Sequence, residues 1–390
     1  MSVKCPCSLP LRWKRPSETQ LQCGHHRLVP IDCRSNRNHD VIGIDLFAGA
    51  GGLSHGAALA GIDVRLAVDI DHHAAFTYAR NHRTTELLVT DIAKLRPSRF
   101  TFPSRKLILF GGPPCQGFST SNQRTRSRYN PANWMFRHFI RFARCWAPSY
   151  IVLENVRGIL DTERGMFAQL ILRGLQQLGY TTAVHVLNAA DYGVPQVRTR
   201  VFIIGALRGR EIIAPSRVRQ TPPTVADAIG DLPLLPNGAN DTSPLPYRSQ
   251  PRSTYARRLR DGRVDCGNHL VTSNAPIILE RFRHIEPGGN WRSLPVELQG
   301  FSTLGRGPHT GLYHRLLLDQ PARVIGNFRK NMLIHPTQHR GVSVREAARL
   351  QSFPDEYEFC GSIGFQQQQV GNAVPPLLAA AVFRALLREA

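Results

Sequence analysis

The chain has 390 residues, with 49 Lys plus Arg against 28 Asp plus Glu, a formal net charge of +21 that points to a polyanionic partner. With 42% hydrophobic and 20% charged residues the composition suits a folded protein and excludes a disordered basic tail. No apolar run approaches the roughly 18 residues of a membrane span, and Met1-Ser-Val-Lys-Cys-Pro-Cys7 carries no signal-peptide apolar segment, so a soluble cytoplasmic protein is expected.

Residues 1–40 lack apolar periodicity and read as an extension with little structure of its own. They hold Cys5, Cys7, Cys23 and Cys33 beside His25 and His26, but Cys5-Pro-Cys7 lacks the two-residue spacer of common zinc knuckles. No metal site and no secreted disulfide framework is expected. From Val41 short apolar runs alternate with helix-length segments: strands at 41–47, 64–68, 107–110 and 150–153, and helices at 53–60, 72–81, 134–146 and 164–178. Strands at 181–187 and 201–206 follow. Such alternation predicts an α/β fold, a doubly wound and mostly parallel sheet with helices on both faces. Residues 209–334 turn Pro-, Ser- and Arg-rich and read as a second, smaller, irregular domain. Regular pattern returns at Ser343-Val-Arg-Glu346, a capping-box signature, and at 375–387, so residues 335–390 complete the first domain of 41–208.

Asp45-Leu-Phe-Ala-Gly49-Ala-Gly51-Gly52 ends the first strand and opens the first helix, where glycines let a ligand approach the backbone. No Lys or Arg lies from Val41 to Val64, which disfavours a P-loop. The second strand ends Val68-Asp69-Ile-Asp71, where a carboxylate can take both hydroxyls of an adenosine ribose. An adenosine ligand follows, with NAD and S-adenosylmethionine both open at this point. Phe110-Gly-Gly-Pro-Pro-Cys115-Gln-Gly-Phe-Ser119 sets a cysteine on a rigid turn beside that site, and such an exposed thiol reads as a nucleophile. Packing is the better reading for Cys145 and Cys360. The next strand ends Leu153-Glu154-Asn-Val156, bringing a carboxylate to the same edge if the two strands are neighbours.

From Val41 onward the chain resembles the DNA cytosine-5 methyltransferases. The resemblance rests on six motifs in the family's order: Asp45 to Gly52, Pro113-Pro-Cys115-Gln-Gly-Phe-Ser119, Glu154-Asn-Val156, Gln196-Val-Arg198-Thr-Arg200, Arg345 to Pro354 and Gln369-Val-Gly-Asn-Ala-Val-Pro375. It implies a Rossmann-like methyltransferase domain with a target-recognition domain, S-adenosyl-L-methionine as cofactor, and addition of Cys115 to carbon 6 of cytosine. Glu154 would hold a proton against ring nitrogen 3 and Arg200 the carbonyl at position 2, with Arg198 and Arg200 favouring the thiolate. Phe47 would pack on adenine, Asp69 bind ribose, Asp91 meet the adenine amino group and Asn372 lie near the methionine part, with Gly49, Gly51, Gly52 and Pro114 completing the cofactor site. Asp69 stands where the family more often has Glu.

Double-stranded DNA is the implied substrate, with the cytosine flipped out of the helix. Gln116, Ser119, Arg124, Arg126 and Arg128 would contact it through a flexible lid, and Arg137, Arg141 and Arg144 form a basic stripe on the following helix. Residues 299–345 carry seven basic side chains against the single acid Asp319, which suits groove reading. Trp291 reads as packing, and Arg345 to Pro354 as a brace between domains. The compact size resembles bacterial modification enzymes, so a monomer paired with a cognate restriction endonuclease is expected. A transfer-RNA-methylating relative is the alternative, though the middle segment lacks the Cys-Phe-Thr signature of that branch. An idle DNA-binding relative would need neither Cys115 nor Glu154 nor Arg200.

Overall fold

The computed structural model describes residues 41–102, 106–118, 127–208, 212–300 and 311–388. The N-terminal cysteines and Ser119, Arg124 and Arg126 lie outside the described residues. Seven strands form one sheet: β1 Val41–Leu46, β2 Asp63–Asp69, β3 Glu86–Val89, β4 Lys106–Gly111, β5 Tyr150–Asn155, β6 Tyr180–Asn188 and β7 Thr199–Leu207. Their order is β3-β2-β1-β4-β5-β7-β6, and β7 alone runs antiparallel to its neighbours. Helices α1 Gly52–Leu59, α2 His72–Asn81, α3 Phe136–Trp146 and α4 Met166–Gln176 pack on the faces.

Central strands carry apolar residues in unbroken runs because both faces are covered. β5 is buried along its whole length. Successive residues alternate faces: Leu109, Ile151 and Leu153 join Phe139 and Phe142 of α3 and Ile171 of α4 in one core. Ile108, Phe110 and Val152 face the other, with Leu53 and Ala57 of α1 and Phe383. Chain order reverses between β1 and β4, so the loops at the carboxyl ends of these strands diverge and open a crevice there.

Two sequence expectations need correction. Ile363–Arg388 is long and apolar enough to pass as a membrane span, yet it comprises two helices, Ile363–Asn372 and Pro376–Arg388. Ala373 between them is extended and prolines follow, which ends the first helix. An apolar 18-residue window of it is 67% buried against the protein, and it serves as core. Nor does the core divide at residue 209. Val225, Ala228, Leu259, Cys266, Leu316 and Ile325 share one cluster with α1, and only Phe282, Ile285, Leu294, Tyr313 and Ile334 form a separate core, against which Trp291 packs. Proline-rich sequence hid short elements such as the helix Val225–Ile229, which opens on a Thr224/Asp227 capping box.

The segment Arg345 to Pro354 ties these parts together. Helix Val344–Leu350 opens with the capping box read from Ser343 and Glu346: Ser343 Oγ accepts the Glu346 amide at 3.0 Å, and the Glu346 carboxylate accepts the Ser343 amide at 2.7 Å. Arg340 Nη2 also donates to Glu346 at 2.6 Å and, with His335, holds that carboxyl well below the usual carboxylate range. Arg349 is fully buried, donating to Asp355 at 2.6 Å, to Asp231, and to the Ala228 carbonyl at 2.9 Å. Removing one partner of such a cluster leaves uncompensated buried charge. Arg349→Ala should therefore cost about 3–5 kcal/mol in urea unfolding. A loss below about 1 kcal/mol would show that the cluster carries little of the fold's stability.

Candidate active site

A cavity of about 440 Å³ opens at the carboxyl edge of the sheet, where β1, β2, β4 and β5 end. Its floor is the loop after β1. The Phe47 and Ala48 amides both donate to the Val68 carbonyl, at 2.9 and 3.1 Å, which turns the chain with Phe47 at φ 65°. Gly49 donates its amide to Asp69 Oδ2 at 2.7 Å, and Asp71 donates to Asp69 Oδ1 at 2.8 Å. Those amides fix the Asp69 carboxylate at the cavity wall, although burial still raises its pKa. Asp91 lines the same cavity and caps Ile92–Lys94 through the Ala93 amide at 2.9 Å.

At the other end β4 runs into the Pro-Pro-Cys turn. Asn155 Nδ2 donates to the Pro113 carbonyl at 3.1 Å, the Phe118 amide donates to the Cys115 carbonyl at 2.9 Å, and buried Phe118 packs edge-on against Phe167. Both sides of Cys115 are thus pinned. Arg200 Nε lies 2.8 Å from Glu154 Oε1, both side chains largely buried. The reversed direction of β7 makes this contact: Arg200 stands near the start of its strand and Glu154 near the end of β5, yet both sit at one sheet edge.

Burial is the largest influence on both titratable groups. It raises the Glu154 carboxyl, which Arg200 and then Arg198 pull down only in part. It also raises the Cys115 thiol, with the Glu154 charge adding to the rise and Arg200 and Arg198 opposing it. The expectation that two arginines favour the thiolate holds for their sign alone, since burial outweighs them.

Phe47, Gly49, Gly52, Asp69, Asp91, Pro114, Cys115, Gln116, Glu154, Arg200 and Asn372 all line the one cavity. Gly51, Arg198 and Arg128 do not line it. Gly51 faces the back of the loop with φ 88°, where a Cβ would stand 2.5 Å from His82 Nε2. Arg198, 1% exposed, donates to the Ile325, Gly371 and Ala373 carbonyls at 2.6, 2.8 and 3.0 Å. Its guanidinium therefore clamps backbone and reaches the site as charge alone. Arg128 is exposed, donating to Tyr129 at 2.8 Å, and the predicted stripe on α3 is split. Arg141 Nη2 is spent on the Ile92 carbonyl at 2.7 Å, Arg137 lies 4.0 Å from the Trp134 ring centroid, and Arg144 is exposed.

Ile70, 65% exposed, and Met135, Val156, Phe365, Gln368 and Gln369 also line the cavity, although the sequence reading gave them no site role. Phe365, Gln368, Gln369 and Asn372 recur at three- and four-residue spacing, which puts them on one helix face and was the available signal. The His73 and Phe365 rings stack 3.6 Å apart at this wall. Among the described residues no group of three or more His, Cys, Asp or Glu is arranged to hold a metal ion.

The fold and the cavity at its switch point define a Rossmann-like methyltransferase. The family model for C-5 cytosine-specific DNA methylases matches residues 41–388, and the chain belongs to that family, whose members depend on S-adenosylmethionine. It is 36% identical over 350 residues to the type II methyltransferase M1.HphI of Haemophilus parahaemolyticus, spanning 88% of this chain and 86% of the relative. To the type II methyltransferase M.DdeI of Desulfomicrobium norvegicum it is 35% identical over 366 residues, spanning 87% and 86%. A crystal structure described as a DNA modification methyltransferase encoded within a prophage (E. coli) superposes with a TM-score of 0.73 at 26% identity, covering 89% of this chain and 99% of that one. The enzyme is a DNA (cytosine-5)-methyltransferase.

Gly112 offers a direct test of the pair, because a Cβ there would stand 2.9 Å from Glu154 Oε2 while Arg200 holds the other oxygen. Gly112→Ala should lower methyl transfer at least tenfold with a stability loss under about 1 kcal/mol. Turnover at the native rate would mean that the carboxylate position is not critical.

Proposed function

We propose that the enzyme methylates carbon 5 of a cytosine flipped out of one specific double-stranded DNA sequence, through a covalent Cys115 adduct at carbon 6. The observation that carries this reading is the single cavity lined at one end by the glycine loop and Asp69 and at the other by Cys115, Glu154 and Arg200.

The residues at the loop end suit S-adenosylmethionine. Around Gly49 no atom lies within 4 Å of an added Cβ, so its backbone is open to a ligand, and Phe47 and Ile70 offer apolar surface beside the Asp69 carboxylate. Phe47, Gly49, Gly52, Asp69, Asp91, Pro114 and Asn372 would hold the cofactor. Bound there, it supplies an electrophilic methyl group. At the other end Cys115 gives its proton to water and its sulfur bonds to carbon 6, breaking the carbon 5–carbon 6 π bond and sending that electron pair toward carbon 5 and nitrogen 3. Glu154 delivers a proton to nitrogen 3 as that density arrives, and Arg200 donates to the oxygen at position 2. The burial that raises the Glu154 carboxyl keeps it protonated to higher pH than an ordinary side chain, as an acid requires. A protonated Glu154 no longer opposes the thiolate, so the two groups titrate together in the useful direction. Carbon 5 then takes the methyl group; its proton passes to water, the bonding pair left behind re-forms the carbon 5–carbon 6 double bond and expels the Cys115 thiolate, and nitrogen 3 returns its proton to Glu154.

A duplex hides this base, so the cytosine must swing into the cavity past Gln116, with the exposed Arg128 on a phosphate. Two relatives are named type II methyltransferases, which supports a modification role opposite a cognate restriction endonuclease, with the bacterial cytoplasm as the proposed location.

Cys115→Ser should abolish methyl transfer while retaining DNA binding, and unaltered turnover would remove the covalent mechanism. Glu154→Gln should slow turnover by about 10²-fold or more with cofactor affinity within about twofold. An equal loss in cofactor binding would make Glu154 structural. DNA affinity should fall steeply with salt, each phosphate contact adding roughly −0.9 to the log–log slope; a flat dependence would disconnect the +21 charge from DNA.

A further inference from the structure

Behind the glycine loop lies a buried polar cluster that the reaction does not use. Asp45, at the end of β1, accepts Ser54 Oγ on Oδ2 at 2.7 Å, and Ser54 Oγ lies 2.7 Å from Tyr78 OH. Its other oxygen has no hydrogen-bond partner, and burial pushes the carboxyl up to about 8. Tyr78 packs on His82, ring centroids 4.4 Å apart, and His55 stands edge-on to both His82 and Tyr357. His82 Nε2 lies 3.1 Å from Tyr357 OH, and that hydroxyl donates to the Ala50 carbonyl.

The direction of this chain follows from its last member. A carbonyl can only accept, so the Tyr357 proton points at Ala50 and the Tyr357 oxygen receives Nε2–H of His82. His82 also interacts with the Gly51 backbone, so it ties the loop at two points. Burial lowers His82 and His55 to about 4, so both rings are neutral at physiological pH, which matches a single N–H donor aimed at Tyr357.

Tyr357, His82, His55 and Asp45 all lie outside the cavity wall. The loop rests on them nonetheless: a Cβ at Gly51 would stand 2.5 Å from His82 Nε2 and 2.7 Å from Tyr357 OH. Tyr357 is held from its far side as well. Its carbonyl accepts Arg345 Nη2 at 2.8 Å, and its ring packs between Phe353 and Phe359 at 4.7 and 5.4 Å. Arg345 is in turn tied to the Gly267 carbonyl at 2.8 Å, in the segment that packs on the catalytic body.

We propose that Tyr357, with His82 behind it, is a positioning residue for the cofactor loop: the chain from His82 N–H through Tyr357 O–H to the Ala50 carbonyl sets the backbone on which Gly49 and Gly52 face the cavity. The proposal rests on the reading of that cavity as the S-adenosylmethionine site. Tyr357 keeps its place through Arg345 and the flanking rings whether or not its hydroxyl is present, so Tyr357→Phe isolates the hydrogen bond. It removes the donor to the Ala50 carbonyl and one partner of His82 Nε2.

The test is calorimetric titration of the demethylated product, S-adenosylhomocysteine, into wild type, Tyr357→Phe, His82→Gln and His82→Ala, with steady-state kinetics beside it. Tyr357→Phe should bind the probe about tenfold more weakly and show a cofactor KM raised by a similar factor, with kcat falling far less and DNA affinity unchanged. His82→Gln, which keeps an N–H donor, should lose less than His82→Ala. Native affinity in Tyr357→Phe, or a parallel fall in kcat and DNA binding, would overturn the positioning role, as would equal losses in the two His82 variants. Failure of the wild type itself to bind would overturn the cofactor reading, a result distinct from wild-type binding with unchanged variants.

Discussion

Arg200 reaches Glu154 because β7 runs against its neighbours. In a wholly parallel sheet the start of each strand lies at the edge opposite its end, and a residue near the start of β7 would be separated from one near the end of β5 by the strand's length. Reversal puts both at the carboxyl edge, 2.8 Å apart. Everything else at the site depends on that juxtaposition. The guanidinium offsets part of the burial penalty on the carboxyl without abolishing its upward shift, so Glu154 can carry a proton close to Cys115. The neighbouring turn from β6 into β7 carries Arg198, whose backbone clamp on residues 325, 371 and 373 locks the strand start against the C-terminal helices.

The arginine excess serves two purposes that composition cannot separate. Arg198, Arg340, Arg345 and Arg349 are among the largest fully buried side chains, and they hold carbonyls or carboxylates inside the fold. Arg315 does the same beneath the small second core, donating to the Phe282, Ile285 and His335 carbonyls. A planar fork that donates in several directions can replace regular secondary structure in the loop-rich middle of the chain, where few backbone ladders exist. The charge available to DNA is therefore smaller than the net figure, and it belongs to the exposed arginines, such as Arg128 beside the cysteine turn and Arg144 on α3.

Most of the sheet was legible because buried strands alternating with helices leave a strong periodic trace, and the motifs fell on the loops that such a sheet gathers at one edge. β3 escaped because it is a short edge strand whose outer residues are exposed. The direction of β7 escaped because a strand buried on both faces has the same hydropathy read either way. Gly51 stood in a glycine run that looked uniform, although only its neighbours line the cavity. The difference lies in backbone orientation, which glycine carries no side chain to report. Arg198 and Arg200 are two residues apart on an extended chain, yet the former is turned into the protein by acceptors more than a hundred residues away, a contact no local pattern encodes. The helix Ile363–Asn372 was hidden by its glutamines, which face both the cavity and the interior.

The central claim is that one cavity brings a methyl donor and a cysteine-activated cytosine together on DNA. The most direct measurement is transfer of labelled methyl from S-adenosylmethionine to plasmid DNA, with bisulfite sequencing of the product. The account requires methylated cytosine confined to one short recurring sequence. Label appearing only in a parallel transfer-RNA pool, or in neither nucleic acid, would contradict it.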